Sequence, residues 1–251
     1  MPALNIPSSS IAEYRGYWLS KTCDFDGLSI KDRITAFAEH HGLDSAKVSE
    51  WRDYPLRDWI ASTDHVLTWV YLTRFLGPVG RILALKVGLR AAHRGLAFWE
   101  ERRHEKSPRE VLEYVEGLIK VYEDNAKNGC GDSVIARALR RSANNLAVYV
   151  SNNVTWSMSI PRLARAGGEV VERLGMAVVE DSDGYCLAES IMGVLRAAAE
   201  VHKPDYVQTS MMVYSKPESA KSNKYKADEQ ARQRADFLAV LDELEGVAPS
   251  S

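Results

Sequence analysis

Ser107-Pro108-Arg109-Glu110-Val111-Leu112-Glu113-Tyr114-Val115-Glu116-Gly117-Leu118-Ile119-Lys120-Val121-Tyr122 decides the fold class. Ser107 followed by Pro108 and Glu110 has the order of a helix start: a cap, a proline at the first helical position and a carboxylate at the third. Val111, Leu112, Val115, Leu118, Ile119 and Tyr122 then recur at helical spacing and form one apolar face. Asn128-Gly129 ends the pattern, as glycine does just past a helix.

The same period holds on both sides. Upstream, 56–75 reads as helical through Trp59, Ile60, Val66, Trp69, Val70 and Leu72, and Gly77-Pro78 breaks it. Arg81 to Arg103 is one long helical pattern. Downstream, a helix starts near Asp132 with Val134, Ile135, Ala138, Leu139 and Leu146, and 161–174 and 185–202 are further helices. Met211-Met212-Val213-Tyr214 is the one segment read as a short strand. The expected class is all-α, a multi-helix bundle or irregular helical array of about nine to ten helices. The expected division is a flexible tail at 1–10, a small helical unit at 11–55 and a main helical domain at 56–203. A loop at 204–226 follows, mobile over 216–226, and then a C-terminal amphipathic helix at 227–245.

Composition narrows the function. The 251 residues are 45% hydrophobic and 26% charged, a mix that excludes disorder and low complexity. Lys+Arg 32 against Asp+Glu 34 gives a net charge of −2, which excludes a uniformly basic nucleic-acid coat but not a local basic face. Cys23, Cys130 and Cys186 are far apart with no CxxC pair, as idle thiols in a reducing cytoplasm would be. The start lacks a basic n-region and an apolar h-region, so no signal peptide is expected. The most apolar stretch, 66–89, is interrupted by Arg74, Arg81 and Lys86, so no membrane span is expected.

One motif points to a partner. In 34–53 a small residue, Ala38, precedes Gly42 by four, Leu43 follows the turn, and Val48 and Trp51 are three apart. The stretch resembles the helix-turn-helix of bacterial and phage DNA-binding proteins, and Ser29 and Asp32 give its first helix a near capping box. The resemblance implies that the second helix enters the major groove with Ser45, Lys47, Ser49 and Arg52 on its DNA face. His41 departs from the apolar residue usual there, and Asp44, Glu50 and Asp53 oppose Lys47 and Arg52. Helix–glycine–helix corners also occur as plain structural corners. Lys86, Arg90 and Arg94, four apart with no acidic neighbour between Arg81 and Arg94, line one helix face as candidate phosphate or partner contacts. Arg137, Arg140 and Arg141 form a second cationic cluster. A solvated face is the alternative for both.

A second likeness lies in Ala91-Ala92-His93-Arg94-Gly95-Leu96-Ala97-Phe98-Trp99-Glu100 and Ser107-Pro108-Arg109-Glu110-Val111-Leu112-Glu113. This pair is similar to the helices of immunity proteins, which implies tight non-catalytic binding of a bacterial protein toxin. Catalytic signals are absent: no His-Glu-x-x-His, no glycine-rich phosphate loop and no Gly-x-Ser-x-Gly. The adjacent His40 and His41 point in different directions on a helix. Asn144-Asn145 and Asn152-Asn153 are ligand hydrogen-bonding candidates, and Trp59, Trp69, Trp99 and Trp156 are expected in the core. The reading is a cytoplasmic, non-catalytic binding protein without metal or cofactor. Its expected partner is DNA or a protein, and self-association is open. The alternatives are an immunity-type protein and a helical enzyme without a recognisable motif.

Overall fold

The computed structural model describes residues 5–6, 54–57, 66–128, 133–155, 160–178, 185–202, 206–209, 212–215 and 220–246. Six helices of 15 to 26 residues make up most of this part. In chain order the elements are β1 (Asn5–Ile6), β2 (Tyr54–Pro55), α1 (Val66–Leu72), a 3₁₀ turn (Thr73–Leu76), α2 (Gly77–Glu100), α3 (Ser107–Asn128) and α4 (Val134–Thr155). These are followed by α5 (Arg162–Ala177), α6 (Tyr185–Ala199), β3 (Tyr206–Thr209), β4 (Met212–Ser215) and α7 (Ala220–Glu245). The class is all-α, with two short antiparallel ladders attached. In one, Asn5 and Ile6 pair with Pro55 and Tyr54. In the other, β3 pairs with β4 from Tyr206 opposite Ser215 to Thr209 opposite Met212.

The central element is α2. Gly77 opens it with φ +60°, a conformation that glycine adopts without a Cβ penalty, and a proline follows in the first turn. Twelve of its 24 residues are buried, including the unbroken run Ile82-Leu83-Ala84-Leu85. Four consecutive buried positions exceed one helical stripe, so α2 is covered on more than one side. It packs against α3, α5, α6 and α7, while α4 lies on α3 and α5. Small residues let these helices approach. A Cβ added at Gly167 of α5 would sit 2.3 Å from the Gly95 carbonyl oxygen of α2, and one at Gly95 would sit 2.9 Å from Val170 Cβ. Trp99, 1% exposed, closes the α2–α3 corner by donating its indole N–H to the Glu105 carbonyl at 3.1 Å.

Several boundaries differ from those the sequence suggests. α3 begins at Ser107, with the Glu110 N–H bonded to the Lys106 carbonyl, so Ser107 lies inside the helix that it was expected to cap. Ser133 does cap α4, its hydroxyl accepting from the Ala136 N–H at 3.1 Å. Within the expected tail, Asn5–Ile6 is paired with Tyr54–Pro55. The expected loop at 204–226 contains the β3–β4 ladder and the first seven residues of α7. Composition alone obscured that helical turn, because its Ser and Lys residues look solvated. The fold anchors it instead: Ser222 is buried, Lys224 pairs with Asp228, and the Tyr225 ring lies 5.9 Å from Phe98 and 4.4 Å from His202. Phe237, Val240 and Leu241 of α7 belong to the common core, so the C-terminal helix is continuous with the main helical domain. Trp69 and Trp99 are buried as expected; Trp59 and Trp156 lie outside the described residues.

The glycine crossings yield a paired expectation. Gly167→Ala should destabilise by about 1–3 kcal/mol despite alanine's better helix propensity, because the new methyl meets backbone. Gly117→Ala, whose methyl would meet Leu139 Cδ2 at an ordinary 3.5 Å, should stabilise by about 0.5–1 kcal/mol. Thermal melts should then move in opposite directions, by about 2–4 °C per kcal/mol.

Acid should weaken the His202 contact. Burial pushes the His202 imidazole below its ordinary range, and Lys221 and Arg162 push the same way. The folded chain therefore holds it neutral where the unfolded chain takes up a proton. Its contribution is complete above about 6.5 and fades as pH falls through the lowered value. Urea midpoints between pH 7 and 5 should fall less steeply for His202→Phe than for the parent.

Candidate functional site

Two cationic surfaces were legible in the sequence, and the fold treats them differently. The Lys86–Arg90–Arg94 stripe faces α7. Lys86 Nζ is 2.7 Å from Glu123 Oε1 and 3.2 Å from Glu243 Oε2. Arg90 pairs with Glu243 and Asp236. Arg94 donates from Nε and Nη2 to Glu229 and from Nη1 to Asp236 at 2.6 Å. Glu229 is 0% exposed and also accepts from Gln233 Nε2 at 3.2 Å, and Gln233 further donates to the Leu195 carbonyl. Burial opposes the charge on Arg94, yet Glu229 and Asp236 outweigh it and hold the guanidinium above its ordinary pKa. The cations ascend by four while their acids descend, so α2 and α7 run antiparallel. Arg57 extends the same set of contacts to Asp242 and Glu245 at 2.6 and 2.7 Å. Three cations meet four carboxylates at the stripe. With Arg232 also 3.7 Å from Glu229, these charges are matched, and a phosphate arriving there would have to displace a carboxylate from its cation.

The second cluster stands on the outer face of α4. Arg137 and Arg141 are exposed, while Arg140 is partly buried and donates to the Tyr122 hydroxyl at 3.0 Å. From Val134 to Thr155 there is no Asp or Glu. The same face exposes Val134 at 73%, Ile135 at 63% and Tyr149 at 51%, together with Val148, Asn145 and Asn152. Tyr114 is exposed on α3, the helix that packs against α4. Cation, amide and apolar groups are therefore presented together by one rigid helix whose opposite side, through Ala136, Ala143, Ala147 and Val150, is in the core.

A groove between α5 and α6 carries Glu172, Arg173, Met176, Glu189, Ser190 and Gly193. Burial raises the pKa of Glu172, with a hydrogen bond from Ser151 opposing it. Among the described residues, no three His, Cys, Asp or Glu side chains converge as a metal site, and no helix is long and apolar enough to cross a membrane. The helix-turn-helix stretch 34–53, with Ser45, Lys47, Ser49 and Arg52, lies outside the described residues, as do His40 and His41.

No protein-family model, curated protein or solved structure matches the chain. The α2–α7 seam did have a signal in the sequence: Glu229, Asp236 and Glu243 are spaced by seven, so they share a helix face and complement the four-residue cation stripe. The apolar part of the α4 face had a weaker one, since Val134 and Ile135 read as core positions by period.

Losing one partner of the buried pair should be costly. Arg94→Met leaves the buried Glu229 with Gln233 and a longer 3.7 Å contact to Arg232, and should destabilise by about 3–5 kcal/mol. Arg90→Met, whose nearer partner Glu243 has 45% side-chain exposure and whose second partner Asp236 keeps Arg94, should cost less than about 1 kcal/mol. Urea unfolding of the two variants separates the roles.

Proposed function

We propose that this chain is a non-catalytic binding protein whose recognition surface is the outer face of α4, with duplex DNA as its first partner. The observation that carries this reading is the face itself: two exposed arginines on a helix that has no acidic residue, although the chain as a whole is net negative. Lys/Arg contacts to phosphate dominate affinity for DNA, and Asn and Tyr side chains add hydrogen bonding to phosphate and sugar. Residues 34–53 supply the second element of the reading, with Ser45, Lys47, Ser49 and Arg52 in the major groove. In this account the chain is cytoplasmic, self-association places two such faces along one duplex, and the whole chain has nine to ten helices.

A protein partner is the second reading, favoured by the exposure of Val134, Ile135 and Tyr149. Apolar and aromatic anchors beside arginine are the composition of a protein interface core. An immunity-type protein that neutralises a toxin fits this pattern.

Binding to mixed-sequence duplex DNA at low and at physiological salt tests the first reading. Affinity should fall steeply with salt, and Arg137→Glu with Arg141→Glu should reduce both affinity and the salt slope. Lys47→Glu and Arg52→Glu report on the second element in the same assay. Absence of binding at low salt, or binding indifferent to salt, refutes the DNA reading and leaves the protein partner.

A further inference from the structure

A cavity of about 460 Å³ opens between α1, α6 and α7. That volume lies within the range of small-molecule sites. Its apolar side is made by Val66, Leu67, Leu195 and Ala199. Its polar side holds two cations, the exposed Arg196 at the mouth and the partly buried Lys226, and neither has an ion-pair partner among the described residues. Glu200 is the single carboxylate among the described lining residues and has an interaction of its own. This contrasts with the nearby α2–α7 seam, where every cation of the stripe is matched by acid.

We propose that this cavity binds a small amphipathic organic anion, a carboxylate carried on an apolar body. Val66, Leu195 and Ala199 cover the body, while Arg196 and Lys226 receive the carboxylate. Two donors of opposite shape suit it: a planar guanidinium fork and a compact ammonium. Gln233 lines the same cavity and bonds both the Leu195 carbonyl and Glu229. An occupant therefore touches the residue that ties α6 to the Arg94–Glu229 pair. Binding to the folded state alone raises stability by mass action, so the ligand should also raise the melting temperature.

Calorimetric titration of the full chain, without DNA, tests this. The probe is sodium octanoate, and 1-octanol at equal concentration is the uncharged control. Octanoate should bind saturably with a Kd of about 0.1–1 mM, a range set by its small size. Octanol should bind at least about tenfold more weakly, as should octanoate to Arg196→Gln or Lys226→Gln, from the loss of a charge-assisted hydrogen bond. Neither substituted side chain has an ion-pair partner among the described residues, so the variants should melt with the parent. Methyl NMR of the unaltered chain gives an independent location, with shifts expected at Val66, Leu67 and Leu195. No saturable binding up to about 10 mM, equal affinity for octanol, unchanged affinity in both variants, or shifts confined to other methyls would each overturn the proposal. Because no DNA is present, these outcomes are separate from the fate of the DNA reading.

Discussion

A helix covered on several sides cannot carry charged residues unless opposite charges are built around it. α2 is such a helix. Its run Ile82–Leu85 and its small positions Gly88, Ala91, Ala92 and Gly95 bring α5 and α6 close, yet Lys86, Arg90 and Arg94 lie on the same element. The chain answers with α7, whose acids at 229, 236 and 243 run antiparallel to the stripe. Arg94 with the fully buried Glu229 is the pair on which the rest turns. An unpaired carboxylate at that depth would cost several kcal/mol. The pair therefore fixes where α7 lies, and with it the positions of Phe237, Val240 and Leu241 in the core.

This arrangement has a consequence for binding. Charge on α2 is consumed within the fold, so the most obvious cationic pattern in the sequence is committed to holding helices together. On α4 only Arg140 turns inward, to the Tyr122 hydroxyl. Arg137 and Arg141 stand on a helix without acids, with exposed Val134, Ile135 and Tyr149 beside them. The bundle separates a set of cations paired with acids between helices from a set exposed on its outer face. The cavity beside Gln233 sits at the border of the first set, where Arg196 and Lys226 have no ion-pair partner among the described residues.

Helical period made the class and most elements readable. The 107–122 stretch, the Gly77-Pro78 break and the helices near 134, 162 and 185 all follow from spacing and local turn chemistry. The start of α7 was not readable, because Ala220–Lys226 is anchored by distant contacts to Phe98 and His202 that no local pattern records. The purpose of the 86–94 stripe was half readable. Its face is set by its own spacing, but its partners lie about 150 residues away, and only the complementary seven-residue acid spacing ties them together. The exposed side of α4 misleads in the opposite way. Val134 and Ile135 obey the core period of a helix but occupy its first turn, on the side turned away from α3 and α5.

The claim that Arg94 and Glu229 act as one structural unit is tested most directly by a double-mutant cycle. Arg94→Met, Glu229→Leu and the double variant would be compared with the parent by urea unfolding. The account predicts that the double variant is much more stable than the sum of the single losses, with a coupling of about 2 kcal/mol or more. Additive losses, with a coupling below about 0.5 kcal/mol, would contradict it and return the stripe to the surface as a face available to phosphate.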